Sequence, residues 1–159
     1  MMRWSRSIVL VAGLVAALGC EEDEGPQQET FQATLTGGAE RPNPVTTAAT
    51  GTATFAVNAT SVDFTINVED ITAATAAHIH GPAGADAPAG VLVTLFAPAT
   101  PLNVADGVLS SGTFPSTTFT IRTGVSLDSV LVLMRNGNAY VNVHTTANGG
   151  GEIRGQITN

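Results

Sequence analysis

Tyr140-Val141-Asn142-Val143-His144-Thr145 and Gly151-Glu152-Ile153-Arg154-Gly155-Gln156-Ile157 alternate branched apolar residues with polar ones. Successive side chains of a strand leave opposite faces. Val141 and Val143 therefore share one face, and Tyr140, Asn142 and His144 share the other. In the second segment Ile153 and Ile157 point one way, Glu152, Arg154 and Gln156 the other. Ala77-His78-Ile79-His80-Gly81-Pro82 has the same period, with Ile79 inward and His78 and His80 outward. These segments contain all three histidines of the chain. They read as β-strands with valine and isoleucine on a core and imidazoles on the outer skin.

The rest of the chain follows the same period. Phe31, Ala33 and Leu35 alternate with Gln32 and Thr34. Ala53, Phe55 and Val57 alternate within Gly51–Asn58, and Val62, Phe64, Ile66 and Val68 within Ser61–Val68. Asn58-Ala59-Thr60 between the last two reads as a hairpin turn. Pro42 and Pro44 keep residues 39–46 out of any ladder. Residues 69–76 read as a turn or a short helical piece. Gly81-Pro82 ends the histidine strand, residues 83–89 form a loop, and Val91–Phe96 is a buried strand. Residues 98–106 read as loop, Val108–Phe114 and Thr117–Arg122 as short strands. Phe114, Phe119 and Ile121 are expected in the core. Ser126–Met134 fits a helix, through the stripe Leu127, Val130, Leu131 and Met134, and equally a buried strand at its end. Asn136-Gly137 marks a turn. The expected class is all-β, a two-sheet antiparallel sandwich or Greek-key barrel of about eight short strands with at most one short helix.

Composition narrows the function. The 159 residues suit one domain. Charged residues make up 12%, lysine is absent, and the formal charge is −7. Nothing here could neutralise a row of phosphates, so nucleic acid is excluded as a partner. The single cysteine, Cys20, rules out an intramolecular disulfide.

The N-terminus reads as an address. Arg3 and Arg6 precede an apolar run, Ile8–Leu18, too short to span a bilayer and suited to a signal peptide. The run Ala16-Ala17-Leu18-Gly19-Cys20 resembles a bacterial lipobox, with Ala17 where leucine is commonest. That resemblance implies a signal peptide over residues 1–19 and lipidation of Cys20, which would tether the protein to a membrane outside the cytoplasm, on the periplasmic side or the cell surface. Residues 21–30 carry Glu21, Glu22, Asp23, Glu24 and Glu29 and no large apolar side chain, so residues 20–30 form an acidic, extended linker. The β domain occupies residues 31–159.

Phe31-x-Ala33-x-Leu35-x-Gly37, the loop Glu40–Pro44, Gly51-x-Ala53, the His78/His80 segment and the two segments quoted first together resemble the CHRD domain. That module was first described in the developmental antagonist chordin and also occurs in bacterial secreted proteins and lipoproteins. Arg41-Pro42-Asn43-Pro44 departs from the family's commoner Val-Pro-Pro run. The resemblance implies a β-sandwich and no defined catalysis. A second resemblance is to copper/zinc superoxide dismutase, whose three copper-ligand histidines match His78, His80 and His144 in order. Its zinc-ligand histidines have no counterpart here, and Arg154 does not stand at the position of its catalytic arginine.

Two imidazoles at i and i+2, with a third from another strand, could share one copper or zinc ion at metal–nitrogen distances of about 2.0–2.1 Å. Glu152 is the nearest candidate for a fourth ligand. Without an ion, His78 and His144 would simply hydrogen-bond across a strand end and to loop carbonyls, near Tyr140 and Asn142. No nucleophile–base wording, phosphate-binding loop or dinucleotide fingerprint appears, so no catalytic residue is assigned. Asp86 and Asp106 are the loop acids open to calcium. The expectation is a lipid-anchored envelope domain acting as a non-catalytic binding or structural module, with a protein or envelope partner not named by the sequence. The alternative is a copper- or zinc-binding, redox-capable protein built on His78, His80 and His144.

Overall fold

A computed structural model describes residues 27–159. The expected signal peptide, residues 1–19, and the expected lipidation site, Cys20, lie outside the described residues. Seven strands and one helix follow in order: β1 (Thr30–Thr36), β2 (Thr50–Val57), β3 (Val62–His80), β4 (Val91–Phe96), β5 (Leu102–Phe114), α1 (Leu127–Arg135), β6 (Tyr140–Thr145) and β7 (Ile153–Gln156). A short 3₁₀ turn over Gly37–Ala39 follows β1. All pairings are antiparallel.

Strand β3 organises the molecule. Its first half pairs with β2 on one edge and β5 on the other. Its last residues pair with β6 and β4 instead. One 19-residue strand thus carries two sheets, β1-β2-β3-β5 and β7-β6-β3-β4. The change of partner falls where Asp70 and Ala73 take positive φ, 55° and 53°. Such residues bend a strand and add twist. The pairs Thr36↔Arg154 and Gln32↔Thr158 join β1 to the β7 side, so the sheets close into a barrel-like sandwich. Gly155 sits at that seam against the Thr34 carbonyl, in space that a Cβ would need.

The core lies between the sheets. Phe31, Phe55 and Phe64 stand side by side across β1, β2 and β3. Ile66, Ile71, Ile79, Leu95, Val141, Val143 and Ile153 continue it. Burying each such side chain contributes about 1.5–3 kcal/mol. Helix α1 starts because Ser126 accepts a hydrogen bond from the Ser129 N–H, and it turns Val130, Leu131 and Met134 onto the core. Among the described residues no helix is long and apolar enough to cross a membrane.

Several expectations need correction. Residues 69–76 are neither turn nor helix; they continue β3 through its bend. Residues 102–106, expected as loop, open β5 by pairing with Glu69–Ala74. Thr117–Arg122 is not a strand: Ile121 makes one isolated bridge to Val93, and Phe119 packs edge-on against Phe64 at 4.9 Å. Ser126–Met134 resolves to helix. Ordered contacts also begin before residue 31: Thr30 belongs to β1, and Glu29 forms a two-bond ion pair with Arg135 at 2.6 and 2.7 Å.

Candidate metal centre

Register places the three histidines together. His78 and His80 lie on one face of β3, two residues apart. In the β3–β6 ladder, His80 stands opposite Tyr140, His78 opposite Asn142 and Ala76 opposite His144. One face of two neighbouring strands therefore carries His78, His80, Tyr140, Asn142 and His144. Each histidine offers a ring nitrogen within 4.8 Å of those of the other two.

Only part of that face is the outer skin expected from the alternation: His78 and His144 are half-buried, while His80 and its neighbours are covered. His80 is 7% exposed, Tyr140 3%, Asn142 2% and Arg154 1%. The loop after β3 folds back over them and is held by side-chain donors from β6 and β7. Arg154 Nη2 donates to the carbonyls of Gly84 and Ala87 at 3.0 and 2.9 Å. Gln156 Nε2 donates to Ala83 O at 2.8 Å, and the Tyr140 hydroxyl accepts from the Ala89 N–H at 3.0 Å. The rings stack beneath this roof. His80 lies parallel to Tyr140 with centroids 5.0 Å apart, and the Arg154 guanidinium carbon sits over the phenol ring, 3.5 Å from its centroid. A cation over an aromatic face is an attractive arrangement.

The hydrogen bonds fix the tautomers. His80 Nδ1 meets Ala89 O at 2.9 Å, and His144 Nδ1 meets Gly149 O at 3.0 Å. A carbonyl only accepts, so both Nδ1 atoms carry hydrogen. Their Nε2 atoms are then acceptors while the rings are neutral, and that of His80 has no protein partner. His78 Nδ1 lies 3.0 Å from His144 Nε2 and donates to it. Burial favours the neutral form of all three rings: His78 is lowered to about 4, with the neighbouring histidines adding to the effect. His80 is lowered mainly by burial, against the opposing pull of the Ala89 carbonyl. His144 is lowered by burial against its bond to Gly149 O. Neutral imidazoles whose far nitrogens donate to carbonyls are the form in which histidine ligates metals.

Distances suit a shared ion with small adjustment. Two nitrogens on a tetrahedral ion at about 2.0–2.1 Å stand about 3.3–3.4 Å apart. His78 Nδ1 has to pass its hydrogen to Nε2 before it can ligate; the His78–His144 pair then opens slightly from 3.0 Å, and the widest of the three separations, within 4.8 Å, closes. His80 Nε2 is buried and has no hydrogen-bond partner.

Glu152, the nearest candidate for a fourth ligand, is occupied elsewhere. Its carboxylate accepts from the hydroxyls of Thr47 and Thr145 and from Asn148 Nδ2, at 2.8, 2.6 and 3.2 Å. Burial pushes its pKa up, but these three bonds outweigh that and leave it lowered. Glu152 therefore ties the residue 145–152 turn to the chain before β2. Asp86 and Asp106 join no metal-ligating cluster among the described residues.

Sequence reasoning missed Tyr140, Asn142, Arg154 and Glu40 as buried polar residues. Glu40 is 3% exposed, and its carboxyl lies beside Asn142 over Gly151, whose φ is 132°. A signal was present: the polar face of β6 carries Tyr, Asn and His and no charged side chain, which suits a covered face better than a wet one.

The family model of the CHRD domain matches residues 31–157, so the chain belongs to the CHRD family. No curated protein and no solved structure matches the chain.

Proposed function

We propose that this CHRD domain is a metal-binding module of the cell envelope, holding one copper or zinc ion on His78, His80 and His144. The observation that carries the reading is the convergence of three imidazoles, each offering a ring nitrogen within 4.8 Å of the others, two of them bonded through Nδ1 to backbone carbonyls. An all-imidazole set suits copper and zinc and gives calcium and magnesium no oxygen ligands. Copper would bring one-electron chemistry and zinc Lewis acidity. The lipobox-like wording before Cys20 supports a lipid anchor there, with the acidic segment as spacer.

The test is titration of the metal-free full-length chain with Cu²⁺ and with Zn²⁺, beside a His78→Ala, His144→Ala double variant. One ion per chain, bound at least about 100-fold tighter by the parent, is the expected outcome. Equal binding by the two proteins overturns the metal reading. The His78–His144 hydrogen bond favours a competing reading, a purely structural knot of rings, and equal binding would establish it. For the anchor, a Cys20→Ser form should move from the membrane fraction to the soluble one; unchanged retention would count against lipidation.

A further inference from the structure

Three imidazoles leave a tetrahedral ion one position short. We propose that the side-chain oxygen of Asn142 fills it, making a closed site of three nitrogens and one oxygen. The inference rests on the metal reading above and deepens it.

Asn142 lies on the same face of β6 as His144, two residues away, and directly across the ladder from His78. It is buried, and its Oδ1 has no hydrogen-bond partner. The other end of the amide is used. Nδ2 donates to Gly150 O at 3.4 Å and lies on the side of the Glu40 carboxylate. That bond assigns Nδ2 to the Gly150 side and leaves Oδ1 at the other end of the amide, on the face that carries the histidines. Asn142 shares the face of the β3–β6 ladder with His80, and neither Asn142 Oδ1 nor His80 Nε2 has a hydrogen-bond partner. His80 Nδ1 already donates to Ala89 O, so its Nε2 presents a lone pair. Two buried acceptors, Asn142 Oδ1 and His80 Nε2, thus lie on one face of the β3–β6 ladder, each without a protein donor. A cation satisfies both at once; a water molecule donating to each is the competing occupant.

Two consequences follow. A neutral amide oxygen is a hard ligand, so the site favours the divalent ions Zn²⁺ and Cu²⁺ over Cu⁺. A fourth protein ligand also leaves no open position, which suits storage, transfer or structural use of the ion rather than catalysis on it.

The experiment loads the full-length chain, its Asn142→Leu variant and its Asn142→Asp variant with Co²⁺ for visible spectra, and with Zn²⁺ for affinity by chelator competition. Far-UV circular dichroism checks folding. Asn142→Leu is expected to weaken Zn²⁺ at least about tenfold and to change the Co²⁺ spectrum. Asn142→Asp, which keeps an oxygen and adds charge, is expected to tighten Zn²⁺ at least about tenfold. Should Asn142→Leu fail to fold, the Asp variant alone decides. Folded variants with the parent's affinity and spectrum overturn the proposal, assign the place to water, and leave the three-histidine reading intact. A parent chain that binds neither ion overturns both.

Discussion

Glu40 shows what burial does to a single polar residue. Burial pushes its carboxyl up to about 7, against the opposing effects of the Arg154 guanidinium, the Arg41 N–H and Asn142. The folded chain then holds this proton more tightly than the unfolded chain, where the value is about 4.5. Stability from this group is greatest below the unfolded value and falls as pH rises from about 4.5 through about 7. Glu40→Gln should remove that component, flattening the slope by on the order of 2–3 kcal/mol between pH 4.5 and 8. Urea unfolding of both proteins across that range measures it; parallel slopes would show that Glu40 titrates normally. Arg154 makes the companion case. Its planar group stacks on Tyr140 while one nitrogen bonds two carbonyls of the covering loop. Lysine matches the charge but neither the plane nor the fork. Arg154→Lys is therefore expected to cost about 2–4 kcal/mol and to speed proteolysis within residues 82–90.

At the scale of elements, β3 and α1 carry the clearest expectations. β3 serves two sheets because it bends at Asp70 and Ala73, both at positive φ. A left-handed conformation costs an L-residue about 1–2 kcal/mol, and more when it is branched at Cβ. Stability should therefore rank glycine at or above alanine, and alanine above valine, at position 73. Ala73→Val is expected to lose about 1–2 kcal/mol in denaturant unfolding; a valine variant as stable as the parent would argue that the bend lies elsewhere. Helix α1 depends on a single side-chain cap, Ser126 Oγ to the Ser129 N–H at 3.1 Å. Ser126→Ala should cost about 1 kcal/mol. The exposed Glu29–Arg135 pair beyond the other end of the helix should contribute less than that, despite its short bonds.

For the whole molecule, closure and the ion are the two levers. The seam between β1 and β7 is narrow, and Gly155 fits there only because it has no side chain against Thr34 O. Gly155→Ala should destabilise by about 1–3 kcal/mol or more, read as a lower melting temperature, since backbone on both sides has to give. Ion binding should act in the opposite direction. An ion that binds only the folded chain adds about 4 kcal/mol when present at 1,000 times its dissociation constant. The parent should melt higher with Zn²⁺ or Cu²⁺, and the His78→Ala, His144→Ala protein should not. The roof over the histidines belongs to this scale too. It joins the residue 82–90 loop to β6 and β7 through Arg154, Gln156, Tyr140 and His80, residues up to 73 positions apart along the chain.

Period-2 alternation alone determined the class, most of the strands and the inward set Phe31, Leu35, Phe55, Ile79, Val141 and Ile153, because the side of a strand on which a residue falls is a local property. It also brought forward His78, His80 and His144, since two imidazoles at i and i+2 must share a face. What alternation could not determine was whether that face is wet or dry. Burial there depends on a loop returning across the sheet, and a glycine-, alanine- and proline-rich loop carries no period to announce where it packs. The bend in β3 was hidden for a related reason: Asp70 and Ala73 adopt positive φ because four neighbouring strands demand it, against their own preference. Only the tertiary structure decided that the three rings meet, and that Asn142, Tyr140 and Arg154 meet with them under cover, because these contacts join strands that are distant in sequence.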